Sequence, residues 1–195
     1  MSNPAFIVDG HQEQKIIQQI CPNSPVRMLN CNGKDVALPA AAERIASLIR
    51  LMGNKYYPYI IVFDRESRVA SASQIKESLE KLIRSEGISD DLVIGVPDRM
   101  IENWILADWD NVKSKGKLKS SKILPICEGR NGKGLIKRLL PNDGKYQETI
   151  QGVDWFLGIN VKIAFEKSPS FREFSGTLRK VGCKWLRPCF EGIMN

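Results

Sequence analysis

Histidine is nearly absent from this sequence: His11 is the single one in 195 residues. The five cysteines, Cys21, Cys31, Cys127, Cys183 and Cys189, are odd in number and scattered, so the ligand spacings of zinc sites cannot be assembled. The same dispersion argues against a disulfide framework and fits a reducing, cytoplasmic setting. No apolar run approaches the ~20 residues of a membrane span, and the apolar stretch in the opening MSNPAFIVDG is one strand long. Neither a membrane nor secretion is therefore expected. There is no internal repeat. The Gly-rich basic segment CEGRNGKGLIKRLLP (127–141) lacks the Walker A spacing and has no Ser/Thr after Lys133, which leaves an ATP site unsupported.

What is present is a length and an apolar content of 43% sufficient for one well-buried core with an appendage beside it. Charge divides the chain. Residues 1–110 carry 12 Lys/Arg against 15 Asp/Glu, whereas residues 111–195 carry 17 against 7. A basic half points to a phosphate-rich partner, because cations that neutralise phosphates release counterions. The expected organisation is a core over 1–110 and a basic, mostly helical extension over 111–195 packed on it.

Apolar periodicity predicts four strand–helix units. AFIVD at 5–9 reads as a strand stopped by Gly10, followed by a helix with Ile16, Ile17 and Ile20 on one face. A second strand over 26–31 precedes a helix over 39–52. YIIVF at 59–63 is apolar throughout, as in a strand covered on both faces, and precedes a helix over 71–85. LVIGV at 92–96 is followed, after Pro97, by a helix over 100–109. Such alternation implies an α/β fold with a mostly parallel sheet flanked by helices. Residues 111–122 (NVKSKGKLKSSK) read as a polar surface loop. Beyond it come a short strand over 122–126 and helices near 133–140, 146–157 and 170–180. Trp104, Trp109, Trp155 and Trp185 are expected in the core rather than stacked on bases.

In a parallel sheet every strand ends at one edge, where ligands bind. Asp9 ends the first strand, and Asp64 and Glu66 follow the third within FDRE, pointing to one side. Glu13 lies one helical turn beyond Asp9, and Glu102 opens the helix after the fourth strand. Carboxylates gathered this way suit Mg²⁺ or Mn²⁺, which favour oxygen ligands. Each also has an ordinary structural alternative: Asp64 as a cap, Glu13 at helix position N3, and Glu102 and Asp108 as solvated helix charges.

FIVDGHQEQKII resembles the opening of Toprim domains, in which a strand ends in an acidic residue, then Gly, then a second acidic residue four positions after the first. IIVFDRE resembles their later Asp-x-Asp element. The fold is shared by topoisomerases, primases and nucleases of the overcoming-lysogenization-defect class. The likeness is closest to small Toprim-like proteins linked with bacterial phage defence, and extends to PDRMIENWILAD (97–108) and SPSFREF (168–174). It implies metal at Asp9, Glu13, Asp64 and Glu66, support from Glu102, and a partner such as a defence-associated ATPase. Lys167, just before SPSFREF, is assigned by the same likeness to stabilising a phosphorane-like transition state. The sequence departs from the pattern twice. Asp9 replaces the usual glutamate and Glu66 the usual second aspartate.

The expectation is thus a metal-dependent nuclease acting on DNA or RNA, with Arg130, Lys133, Lys137 and Arg138 as phosphate contacts. The alternatives are a catalytically inactive nucleic-acid-binding or regulatory module of the same fold, and a phosphotransferase or small-molecule phosphatase using the same metal cluster.

Overall fold

The computed structural model describes residues 3–30, 36–117, 127–141 and 145–178. Four strands, β1 (Ala5–Val8), β2 (Val26–Met28), β3 (Tyr59–Val62) and β4 (Leu92–Gly95), form one all-parallel sheet in the order β2-β1-β3-β4. Every residue of β1 and β3 is buried, which is why both read as unbroken apolar runs. Alternation still decides what each residue touches. Phe6, Val8, Ile60 and Val62 face one apolar layer, while Ala5, Ile7, Tyr59 and Ile61 face the other.

Helices α2 (Leu38–Met52) and α3 (Ala72–Ser85) cover the second face through Ile45, Ile49, Ile75, Leu79 and Ile83. The start of α3 is fixed by a capping box: Ser71 Oγ accepts from Gln74 N–H at 3.3 Å, and the Gln74 side chain accepts from Ser71 N–H at 2.9 Å. The first face carries α1 (His11–Ile20), α4 (Ile101–Ala107), α5 (Trp109–Gly116), α6 (Gly132–Leu139), α7 (Val153–Leu157), α8 (Val161–Lys167) and α9 (Pro169–Leu178). Residues beyond 110 therefore share a core with the sheet: Val112, Ile136, Trp155 and Phe171 all lie in the same apolar cluster as Phe6 and Ile60. Gly95 lets α9 approach, since a Cβ there would lie 2.3 Å from the Phe174 ring. Phe174 in turn stacks on Trp104 at 5.2 Å between ring centroids, anchoring α4.

Several expectations need correcting. The segment 111–122 is not all loop, because its first part belongs to α5. Asp108 Oδ1 accepts from Asn111 N–H at 3.4 Å, and Trp109 and Val112 are both buried, so one cap and two apolar anchors hold a helix that lysine-rich composition disguises. The helix expected over 100–109 stops at Ala107, since Asp108 leaves helical geometry to cap α5 and to accept from Asn160 N–H at 2.7 Å. The helix expected over 146–157 is a π-turn at Glu148–Gly152 followed by the short α7. Helix α8, capped by Asn160, has no counterpart among the helices expected from sequence. The second strand spans only Val26–Met28. The strand expected over 122–126 and Trp185 lie outside the described residues.

Candidate metal centre

The chain runs β1 to β2 on one side of β1 and then returns to β3 on its other side, so β1 and β3 flank the point where strand order reverses. Crevices at such points take ligands at the carboxyl ends of the strands. Val8 and Val62 are paired in register, so Asp9 and the Phe63–Asp64 step emerge side by side. Asp9, Asp64 and Glu66 each bring a carboxylate oxygen within 4.8 Å of the others. Ligand oxygens around an octahedral Mg²⁺ lie roughly 3 Å apart when adjacent and roughly 4 Å apart when opposite.

The loop bearing Asp64 and Glu66 is tightly held. Pairing between β3 and β4 runs on past the strand ends, with Phe63 N–H donating to Gly95 O at 3.0 Å, Arg65 N–H to Pro97 O at 3.3 Å and Glu66 N–H to Arg99 O at 2.7 Å. Arg65 also pairs with Asp98, and the Asp98 N–H donates to Ser170 Oγ at 3.3 Å, tying this loop to α9. Glu66 sits at φ +56°, a left-handed conformation that ordinary side chains rarely adopt. This strained backbone is maintained by the surrounding hydrogen bonds and aims Glu66 into the crevice.

A cavity of about 300 Å³ opens over these residues, lined also by Glu13, Glu102, Lys133 and Glu148. Glu13 occupies position N3 of α1, and its Oε2 accepts from Gly10 N–H at 3.1 Å. The structural alternative for Glu13 is thus realised together with its place in the cavity. Burial, and then the charges of Glu102 and Asp9, push its carboxyl up to about 7. Burial likewise raises Asp64 well above the usual carboxylate range, with Glu13, Asp9, Glu102 and Glu66 adding to the effect. Asp64 Oδ1 and Glu102 Oε1 are buried without hydrogen-bond partners. Orphaned buried oxygens beside like charges are what a hard cation would relieve, and the donor set contains only oxygen ligands suited to one.

Glu102 is raised by burial, against which Lys133 acts. Lys133 closes the far wall, its Nζ 2.8 Å from Glu148 Oε2. Burial pulls the Lys133 ammonium down, but the Glu148 hydrogen bond and the charges of Glu102, Glu148 and Glu66 outweigh it, and the group stays firmly protonated. Helix α6 reaches this position because Gly132 has no side chain. A Cβ there would lie 3.0 Å from both Glu102 Cβ and Asn103 Oδ1. Asn103, itself buried, donates its amide to Cys127 O and to Arg130 O, the latter at 3.0 Å, and so holds the turn that precedes α6. The Cys127 thiol is raised by burial to about 11, which makes it an inert packing group rather than a nucleophile.

All five carboxylates expected from sequence, Asp9, Glu13, Asp64, Glu66 and Glu102, line this one cavity, and Lys133 lines it with them. Lys167 does not: it is exposed at the end of α8 and lies near Cys127. Of the basic residues expected to meet phosphate, Arg130, Lys137 and Arg138 are exposed outside the cavity. Sequence reasoning missed Glu148, in the π-turn, and the buried residues Gln12, which lines the cavity, and Tyr146, near Glu102. The Tyr146 hydroxyl and Gln12 Nε2 lie close together around Gly152, within electrostatic reach of Glu102 but without a hydrogen bond of normal geometry. Gly152 permits that approach, since a Cβ would lie 2.4 Å from the hydroxyl. Among the described residues no helix is long and apolar enough to cross a membrane.

No protein-family profile, curated protein or solved structure gives a significant match to this chain.

Proposed function

We propose that this chain is a divalent-metal-dependent nuclease with a Toprim-like core, hydrolysing phosphodiester bonds in DNA or RNA. The observation that carries the reading is the convergence of Asp9, Asp64 and Glu66 within 4.8 Å at the carboxyl edge of a parallel sheet, with Asp64 Oδ1 buried and unsatisfied. Asp9, Asp64 and Glu66 would hold Mg²⁺ or Mn²⁺ directly, with Glu13 as a further ligand. Such a cation supplies activation of water at neutral pH and stabilisation of the leaving oxygen.

The chain's own groups divide the remaining work. Glu102, buried at the start of α4, orients the attacking water. Lys133, lining the cavity beside the carboxylates, meets a phosphate oxygen, while the exposed Arg130, Lys137 and Arg138 follow the backbone of the nucleic acid outside. The resemblance to phage-defence proteins extends the proposal to a defence effector restrained by a partner such as an ATPase, acting in the cytoplasm.

Incubating the protein with plasmid, single-stranded DNA and tRNA in Mg²⁺ or Mn²⁺ tests the reading. Cleavage abolished by EDTA and by Asp64→Asn supports it. Salt-sensitive binding with no cleavage of any of the three would instead favour an inactive binding module.

A further inference from the structure

Among the described residues the cavity is lined by six carboxyl groups, Asp9, Glu13, Asp64, Glu66, Glu102 and Glu148, and by one Lys/Arg side chain, Lys133, with His11 beside them. That imbalance bears directly on how an anion gets in. Even two divalent cations leave these seven side chains one charge short of neutrality when all six carboxyls are ionised. A phosphodiester, itself an anion, would meet a site that still repels it. Relief comes most simply from the carboxylate that serves neither the metal cluster nor the sheet edge. That carboxylate is Glu148, which binds the ammonium a phosphate would need, at 2.8 Å.

The location of Glu148 fits such a role. It is the first residue of the π-turn Glu148–Gly152, a form of backbone frequent at functional sites. Its side chain is 37% exposed, as is that of Lys133, so the pair stands at the solvent side of the cavity rather than in the core. An ion pair this exposed is weak and exchangeable. Its two ends are anchored independently. Lys133 is fixed through Gly132 and Asn103 against α4, whereas the turn bearing Glu148 is attached to α1 by Lys15 Nζ donating to Thr149 O at 3.2 Å. The lysine is thus held against α4, and the glutamate on a turn that packs against α1 through Gly152 and Gln12.

Resting on the nuclease reading above, we propose that Lys133 forms an anion subsite for one phosphodiester group, and that Glu148 is an internal stand-in occupying it until substrate displaces the carboxylate. Glu148 is a competitor in this scheme, and its removal strengthens binding. A glutamate that merely positioned Lys133 would have the opposite effect.

The test compares wild type, Glu148→Gln, Lys133→Met and the double variant, with thermal melting to establish that each is folded. The probe is a short fluorescein-labelled oligothymidylate in Ca²⁺, followed by competition with inorganic phosphate. Glu148→Gln should bind about fivefold more tightly than wild type at low salt, the advantage shrinking as salt rises. The gain should vanish in the Lys133→Met background. Binding that is equal or weaker in Glu148→Gln, including no detectable binding by either protein, overturns the proposal. So does a gain that persists without Lys133, which would reflect net charge alone. Cleavage by wild type is assayed in parallel. Cleavage without the Glu148→Gln gain overturns the role of Glu148 and leaves the nuclease reading standing. A Lys133-dependent gain for inorganic phosphate with no cleavage supports the subsite and counts against the nuclease.

Discussion

Replacing Glu13 by Gln in the metal-free protein should make it more stable at alkaline pH, an unusual outcome for a buried side chain with a defined hydrogen bond. The Glu13 carboxyl is pushed up from 4.5 to about 7, first by burial and then by Glu102 and Asp9. A folded-state value above the unfolded one means that the fold binds the proton more tightly. The resulting stabilisation is complete below pH 4.5 and is lost as pH rises through about 7. Above that, wild type carries the full penalty of a buried charge, which the shift places at about 3 kcal/mol. Glutamine keeps an oxygen for the Gly10 N–H, now 3.1 Å from Glu13 Oε2, and removes the charge. Asp64 also benefits, because Glu13 is the foremost of the charges raising it. Urea unfolding in EDTA at about pH 5 and about pH 8 reads the effect: Glu13→Gln should gain about 2–3 kcal/mol on wild type between the two. Saturating Mn²⁺ at about pH 8 should narrow the gap by stabilising wild type more. A difference between the proteins that does not change with pH would refute this reasoning.

Asp64→Asn should abolish metal-dependent cleavage while leaving the protein folded and able to bind nucleic acid, as checked by calorimetry and fluorescence anisotropy; an active variant would remove Asp64 from the ligand set. Neutralising Lys133, Lys137 and Arg138 together should lower affinity for nucleic acid and reduce the salt slope by about one for each phosphate left unneutralised. Glu66→Gly should relieve the left-handed backbone at φ +56°, raising stability by about 1 kcal/mol in EDTA, yet weaken Mn²⁺ binding measured by paramagnetic resonance. Gly95→Ala should destabilise by about 1–3 kcal/mol in urea titration, because the added methyl lies 2.3 Å from the Phe174 ring and must displace α9.

The sheet was legible because fully buried parallel strands leave unbroken apolar runs such as YIIVF, and a charged residue just after such a run must lie at the sheet edge. That placed Asp9, Asp64 and Glu66 at one edge without any tertiary information. Glu13 followed from helical spacing, and Glu102 from the turn after β4. Glu148 and Tyr146 left no such mark. They follow no strand, and the π-turn that delivers Glu148 depends on the tight approach of Gly152 to Tyr146 and Gln12, which brings distant parts of the chain together. Helix α5 was hidden for a different reason: one cap and two buried side chains, Trp109 and Val112, outweigh a lysine-rich composition. Lys167 owed its expected role to a sequence resemblance; it is exposed at the end of α8, and among the described residues the lysine that lines the cavity is Lys133.

Anomalous diffraction from crystals soaked in Mn²⁺ tests the metal centre most directly. The expected result is a peak about 2.0–2.3 Å from carboxylate oxygens of Asp9, Asp64 and Glu66, absent from Asp64→Asn crystals. A crevice without Mn²⁺, with the carboxylates still clustered and ordered, would contradict it.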